Sequence, residues 1–426
     1  MDKSTIAIII IVITIISFMV EKIPLALTSF FAAIAMGVFG CMPLEEIYAG
    51  WGSQTFALSM GMMIVGNAVF ETGLAKWFGD KLVGAGVAKN EKLFMAVLMI
   101  IAGVMSAFMS NIATMAMFIP LVASVAASSK GKIDSRYILM PIGLATTIGG
   151  SGTLVGSTHQ LVAQGILEQS GFGMKFFEMG IIAFPQLIAL VIYMVTIGYK
   201  IMKKTFDFDP VLEQSVEELQ DEDTSDTKLT PKMIISGATL IGAIIAFISG
   251  VWNIGTVALL AAGIVMVTGC IEFKKAFREL DWNTLVILAT SVGFAAGLDI
   301  SGGGKVIADF TIGLFGGDSA SPILLLGAGI FIATMLTNFA SNTATSAMLT
   351  PIYMNIAIQF GINPLVFVVP IVVSCGNATF TPVGTSAVTM TLQGGYRFND
   401  YVKVGLPITI ILMIMAMVIS PLVYGL

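Results

Sequence analysis

The chain has 426 residues, 56% of them hydrophobic and only 11% charged, which is more apolar surface than a water-soluble core could bury. A formal net charge of −5 supplies no basic face for nucleic acid, and three scattered cysteines with a single histidine offer neither a disulfide framework nor a transition-metal site. What remains is a chain that lives in a bilayer.

The first apolar stretch, Ile6–Val20, is followed by Glu21-Lys22 where the small residues of a cleavage site would stand, so it reads as a retained helix. Stretches long enough to cross about 30 Å of hydrocarbon predict spans over 4–20, 23–40, 54–72, 137–168 and 177–200. A second set follows over 232–250, 254–270, 282–299, 363–392 and 401–424. Between the sets, Asp207–Asp226 holds nine acids and no base, a solvated linker that halves the chain.

The halves repeat each other. Met105-Ser-Ala-Phe-Met-Ser-Asn-Ile-Ala-Thr-Met-Ala-Met-Phe-Ile-Pro120 matches Leu336-Thr-Asn-Phe-Ala-Ser-Asn-Thr-Ala-Thr-Ser-Ala-Met-Leu-Thr-Pro351 at an offset of 231, with eight of sixteen positions identical. Small polar runs follow, Gly149–Thr158 and Gly376–Thr385, aligning Val155 with Val383 and Gly156 with Gly384. Such repeats are a transporter signature. Five crossings per half invert the second half. With the amino terminus outside, of 21 Lys and Arg only Lys3, Lys175 and Lys305 fall on the extracytoplasmic side, so both termini are expected there.

Charge counting does not decide whether 92–127 and 320–358 are paired spans or hairpins. The Ser-Asn interruption favours re-entrant hairpins, since irregular backbone at membrane depth needs protein or water around it. The glycine-rich runs likewise break their spans. The expected fold is therefore an all-α polytopic membrane protein of two inverted repeats of five transmembrane helices, each with a re-entrant hairpin and a broken helix.

Half-helix N-termini inside the membrane suit an anion, and unwound carbonyls suit Na⁺. The side chains expected there are Ser110, Asn111, Thr114, Ser341, Asn342 and Thr345, with Ser151, Thr153, Thr379 and Thr381 from the broken helices. Ser106 and Thr337 stand four residues before the motif serines, on the same helix face, which predicts two symmetric cation sites. No Asp, Glu, Lys or Arg is seen in the middle of a span, which favours Na⁺ over a carboxylate proton relay.

A membrane serine protease is the rival from another class: Gly149-Gly-Ser151-Gly matches G-x-S-G and His159 is the sole histidine. The two lie eight residues apart on one broken helix and are badly placed to hydrogen-bond. A channel is a third reading. Gly302-Gly-Gly-Lys305 lacks Walker spacing and reads as a flexible joint. The 27 methionines read as adaptable packing.

Taken together, the motifs resemble those of the divalent anion:Na⁺ symporter family, the Na⁺-coupled dicarboxylate, citrate and sulfate carriers, whose hallmark Ser-Asn-Thr stands here as Ser110-Asn111-Ile112 and Ser341-Asn342-Thr343. The resemblance extends over Gly149–Gly156, Thr381-Pro382 and Gly395–Pro407, most of the chain. It implies a homodimeric elevator in the cell membrane. Scaffold segments would be 1–91 and 232–319, with connector helices near 74–90 and 301–316; moving segments would be 92–201 and 320–426, joined by a cytoplasmic linker over 202–231. It further implies Na⁺ held by Ser106, Ser110, Asn111 and Gly150 or Gly152, and by Thr337, Ala340, Ser341, Asn342 and a carbonyl near Thr379–Thr381. Ser110, Asn111, Ser341, Asn342, Thr343, Thr381 and Pro382 would face a small anion, a C4-dicarboxylate or citrate first. Sulfate, another oxyanion, a monocarboxylate, or exchange of two carboxylates come second. The chain departs from the family at Ile112, which removes a hydroxyl, and at Ser157-Thr158-His159-Gln160 and Thr385-Ser386-Ala387-Val388, where the family has Thr-Pro-Pro-Asn.

Overall fold

Helix starts are fixed by short polar side chains that accept from the otherwise orphaned first-turn N–H groups: Ser53 from Phe56, Asn90 from Leu93, Asn253 from Thr256, Asp281 from Thr284. A computed structural model describes residues 2–20, 22–74, 77, 90–129, 131–210, 212, 229–314, 317 and 321–426. In the first half, α1 (Lys3–Val20), α2 (Leu25–Val38) and α3 (Gln54–Glu71) precede a hairpin of α4 (Glu91–Ser106) and α5 (Asn111–Ser128). A broken helix, α6 (Ser135–Gly150) and α7 (Thr158–Gln169), leads to α8 (Gly180–Tyr193), which continues through a π segment into α9 (Tyr199–Thr205). The second half repeats this as α10 (Pro231–Ser249), α11 (Ile254–Val267), the short α12 (Phe273–Arg278), α13 (Trp282–Ile300), α14 (Gly303–Leu314), the hairpin α15 (Pro322–Thr337) and α16 (Asn342–Gln359), the broken α17 (Leu365–Cys375) and α18 (Ser386–Met390), and α19 (Phe398–Tyr424).

Both hairpins and both breaks stand where the sequence places them. The described residues are helical with no strand, and six helices are long and apolar enough to cross a membrane. Most of the connector over 74–90 and most of the acidic linker lie outside the described residues. Over the expected second connector, 301–316, lies the helix α14, entered through Gly302 at φ +76°, a left-handed turn that suits glycine.

The halves interlock: α3 packs on α11 and α13 packs on α2, each third helix against the other half's second. Small residues allow the approach. A Cβ on Gly61 would come within 2.5 Å of the Ala258 carbonyl, and Ser29 hydrogen-bonds Thr290 at 2.6 Å. Only 28% of α1 and 22% of α10 is buried, against 78% of α13, so α13 is central and the first helices are peripheral. In each half both hairpin helices pack on the first limb of the broken helix, α6 or α17. Gly149 on α6 touches the Gly103 backbone of α4, where a Cβ would sit 2.3 Å from the Gly103 Cα. The second limbs cross over: α7 packs on α16 and α18 on α5. All four broken elements thereby meet.

Candidate functional site

Each hairpin turns in four residues, 107–110 and 338–341, and its returning helix starts at an asparagine, Asn111 or Asn342. Ser110 caps α5, its Oγ accepting from Ala113 N at 3.1 Å. The loop of each broken helix is pinned to the neighbouring tip by a threonine: Thr153 Oγ1 donates to the Ala107 carbonyl and Thr381 Oγ1 to the Asn338 carbonyl. These pins are mates in the repeat.

Behind each tip lies a pouch lined by oxygen. In the first half Ser106 Oγ donates to Asn111 Oδ1 at 2.6 Å, and Asn111 Nδ2 donates to Ser157 Oγ at 3.1 Å. Gly150 faces this cluster so closely that a Cβ would stand 2.5 Å from Asn111 Oδ1. In the second half Thr337 Oγ1 donates to Asn342 Oδ1 at 2.6 Å and also to the Cys375 carbonyl. The same Asn342 oxygen lies 3.1 Å from the Cys375 carbonyl and 2.9 Å from that of Gly384, so it faces oxygens alone. Two arrangements relieve this: the amide turns and its Nδ2 donates to those carbonyls, or a cation sits among them. Gly156 and Gly384 close the pouches. A Cβ on Gly156 would lie 2.1 Å from Gly150 O, and one on Gly384 2.0 Å from Thr337 O.

The hydroxyl before each motif works differently from the spacing argument. Helices α4 and α15 end at Ser106 and Thr337, so these residues do not share a helix face with Ser110 and Ser341. They reach across the turn to the asparagine five residues on.

A cavity of about 320 Å³ joins the tips, lined by Ser110, Asn111, Ile112, Ser341, Asn342 and Thr343, with Gly156–Thr158 and Gly384–Ser386 beside them. It reaches Asn67, Glu279, Asp281 and Asn283, at the end of α3 and the start of α13. Among the described residues no Lys or Arg lines it.

Not every expected residue reaches this place. Thr381 is fully buried with its hydroxyl on Asn338, and Pro382 is buried with its carbonyl accepting from Thr389; neither lines the cavity. The Thr379 hydroxyl meets Thr409, and Gly152 packs on the Phe184 ring. Ala340 sits in the second tip, its N–H on Leu336 O. The Gly150 carbonyl accepts from Gln160 Nε2 at 3.0 Å. Sequence reasoning missed Gln160, the Cys375 carbonyl and Asn338, whose amide binds Thr334 O and accepts from Phe380 N. The repeat could not reveal Asn338, because its mate is Ala107.

Ser151 and His159 do come close to one spot. A Cβ on Gly376 would meet Ser151 Oγ at 2.1 Å and His159 Nε2 at 3.2 Å. Yet Ser151 Oγ donates to Thr147 O and His159 Nε2 has no hydrogen-bond partner, so they form no nucleophile–base pair. At the far end of α7, Glu168 accepts from Thr55 Oγ1 at 2.6 Å, Gln54 Nε2 at 3.0 Å and Gln164 Nε2 at 2.7 Å, tying α7 to the start of α3.

The citrate transporter family model matches residues 15–372 and 244–425. The chain belongs to that family. It is similar to an uncharacterized transporter of Haemophilus influenzae, 28% identical over 408 residues, covering 90% of this chain and 84% of that one. It is also similar to the sodium-dependent dicarboxylate transporter SdcS of Staphylococcus aureus, 23% identical over 441 residues, 95% and 84% covered. In fold it resembles MtrF of Neisseria gonorrhoeae, described among antimetabolite efflux pumps, with TM-score 0.63 at 14% identity over 99% and 94% of the two chains. The YdaH transporter of Alcanivorax borkumensis gives TM-score 0.58 at 14% identity over 90% and 87%. The protein is thus a multi-pass secondary transporter of the citrate and dicarboxylate group, not an enzyme.

Proposed function

We propose that this carrier is a Na⁺-coupled symporter of a small carboxylate, a C4-dicarboxylate such as succinate, malate or fumarate, or citrate. The observation that carries the reading is the pair of matched pouches. In each, hydroxyl and asparagine amide groups gather behind a hairpin tip, joined in the second by the Cys375 and Gly384 carbonyls, hard neutral oxygens that suit Na⁺. The tips put the starts of α5 and α16, the positive ends of their helix dipoles, at the cavity for an anion. Occupied pouches would add positive charge to a cavity whose described lining has no basic side chain. The sodium-dependent dicarboxylate transport named for SdcS supports the same pairing of ion and substrate.

In this reading the hairpins, the broken helices and the last helix of each half move as an elevator against 1–91 and 232–319, in a homodimer with both termini extracytoplasmic. The Glu168 contact with α3 closes the extracytoplasmic side while the cavity reaches the cytoplasmic one. Uptake of labelled succinate into proteoliposomes tests this. Saturable uptake that needs a Na⁺ gradient and falls at least tenfold in Asn111→Ala and Asn342→Ala is expected. Equal uptake in K⁺, or uptake untouched by both substitutions, overturns the reading.

A further inference from the structure

The two tips present different chemistry to one cavity. Ser110, Asn111 and Ile112 recur as Ser341, Asn342 and Thr343, and both triplets line it. Ile112 is 54% exposed there. A lipid-facing role does not explain an isoleucine that borders a polar cavity, and a packing role does not explain its exposure. Phe108, Met63 and Val155 add apolar surface to the same cavity. At the one position where the triplets differ, the Thr343 tip offers a carboxylate a hydroxyl and the other tip offers the carbon of Ile112.

We infer that Ile112 is a specificity-determining residue: the site takes an unsubstituted carboxylate at the Thr343 tip and a carboxylate end bearing alkyl carbon at the Ile112 tip. The inference rests on the small-carboxylate reading above and narrows its substrate class to acids with unequal ends. Each carbon buried against Ile112 is worth roughly a fourfold gain in affinity, and an unsubstituted end collects none of it.

The test uses the full chain purified in detergent with Na⁺, titrated with succinate and with 2,2-dimethylsuccinate, which carries the same charge, and read by thermal shift. The wild type is expected to bind dimethylsuccinate at least as tightly as succinate. Ile112→Thr should move the ratio toward succinate by about fifteenfold, the effect of two carbons. Ile112→Val, which keeps the apolar surface, should stay within about threefold of the wild type. A ratio unchanged within twofold in Ile112→Thr overturns the inference alone, as does a wild-type preference for succinate of tenfold or more. If none of the three proteins binds either acid in Na⁺, the small-carboxylate reading itself falls.

Discussion

Asn342→Asp separates the two ways of satisfying the second pouch. The side chain is only 8% exposed, and its oxygen lies 2.6, 3.1 and 2.9 Å from Thr337 Oγ1, Cys375 O and Gly384 O. If the amide is turned, its Nδ2 donates to the carbonyls, and aspartate replaces two hydrogen bonds by a carboxylate facing oxygens. That costs several kcal/mol whatever ion is present, because buried acceptors are left unpaired beside a charge. If Na⁺ belongs there, aspartate supplies an anion to it. Two unit charges about 4 Å apart at an effective dielectric of 20 attract by about 4 kcal/mol. Much of that is lost to desolvating the carboxylate, and a net gain of about 1.4 kcal/mol, tenfold in affinity, is a fair expectation. At Na⁺ a hundredfold above its Kd the wild type gains about 2.7 kcal/mol, and the variant at the same concentration about 4.1 kcal/mol. Titrating purified wild type and variant with NaCl against KCl, with thermal unfolding as readout, measures both. Asn342→Asp should be the less stable protein in K⁺ and should recover more than the wild type in Na⁺. A Na⁺-induced gain no larger than the wild type's, on top of a lower baseline, refutes the cation site.

Gly384→Ala places a Cβ 2.0 Å from the Thr337 carbonyl, a backbone atom that cannot yield without opening the hairpin tip. Unfolding titration should show a loss of about 1–3 kcal/mol with no Na⁺-dependent recovery, while Gly242→Ala, with no atom within 4 Å of its Cβ, leaves both unchanged. Thr55→Val removes one hydrogen bond to the Glu168 carboxylate, worth about 1.5–3 kcal/mol when the acceptor is charged. A cysteine introduced at Thr343 should then react with impermeant maleimide from the extracytoplasmic side about tenfold faster, against a low background because Cys41, Cys270 and Cys375 are all buried. An unchanged rate removes Glu168 from the closure.

What could be read from the sequence, and what could not, divides along a physical line. Hydrophobic length and the 231-residue repeat reveal hairpins and breaks because both depend on local composition: Ser110-Asn111 and Gly149–Gly152 cannot continue an apolar helix comfortably. Even the pouches are half legible, since a hydroxyl and an amide recur at the same spacing in both halves. Their partners are not. The spacing from Ser106 to Ser110 fits one helix face, but α4 stops at Ser106, and the bond runs to Asn111 instead. Cys375 enters through its carbonyl, which any residue has, and Thr381 leaves the cavity because its hydroxyl pins the loop to Asn338. Backbone groups and loop pins carry no signature in residue type. Glycine is the exception, since Gly156 and Gly384 occupy positions where a Cβ would collide with main-chain oxygen. Their alignment across the halves is thus a steric signal of the pouches, and the Ile112–Thr343 mismatch, standing against that background of symmetry, marks where the two halves differ in what they offer the anion.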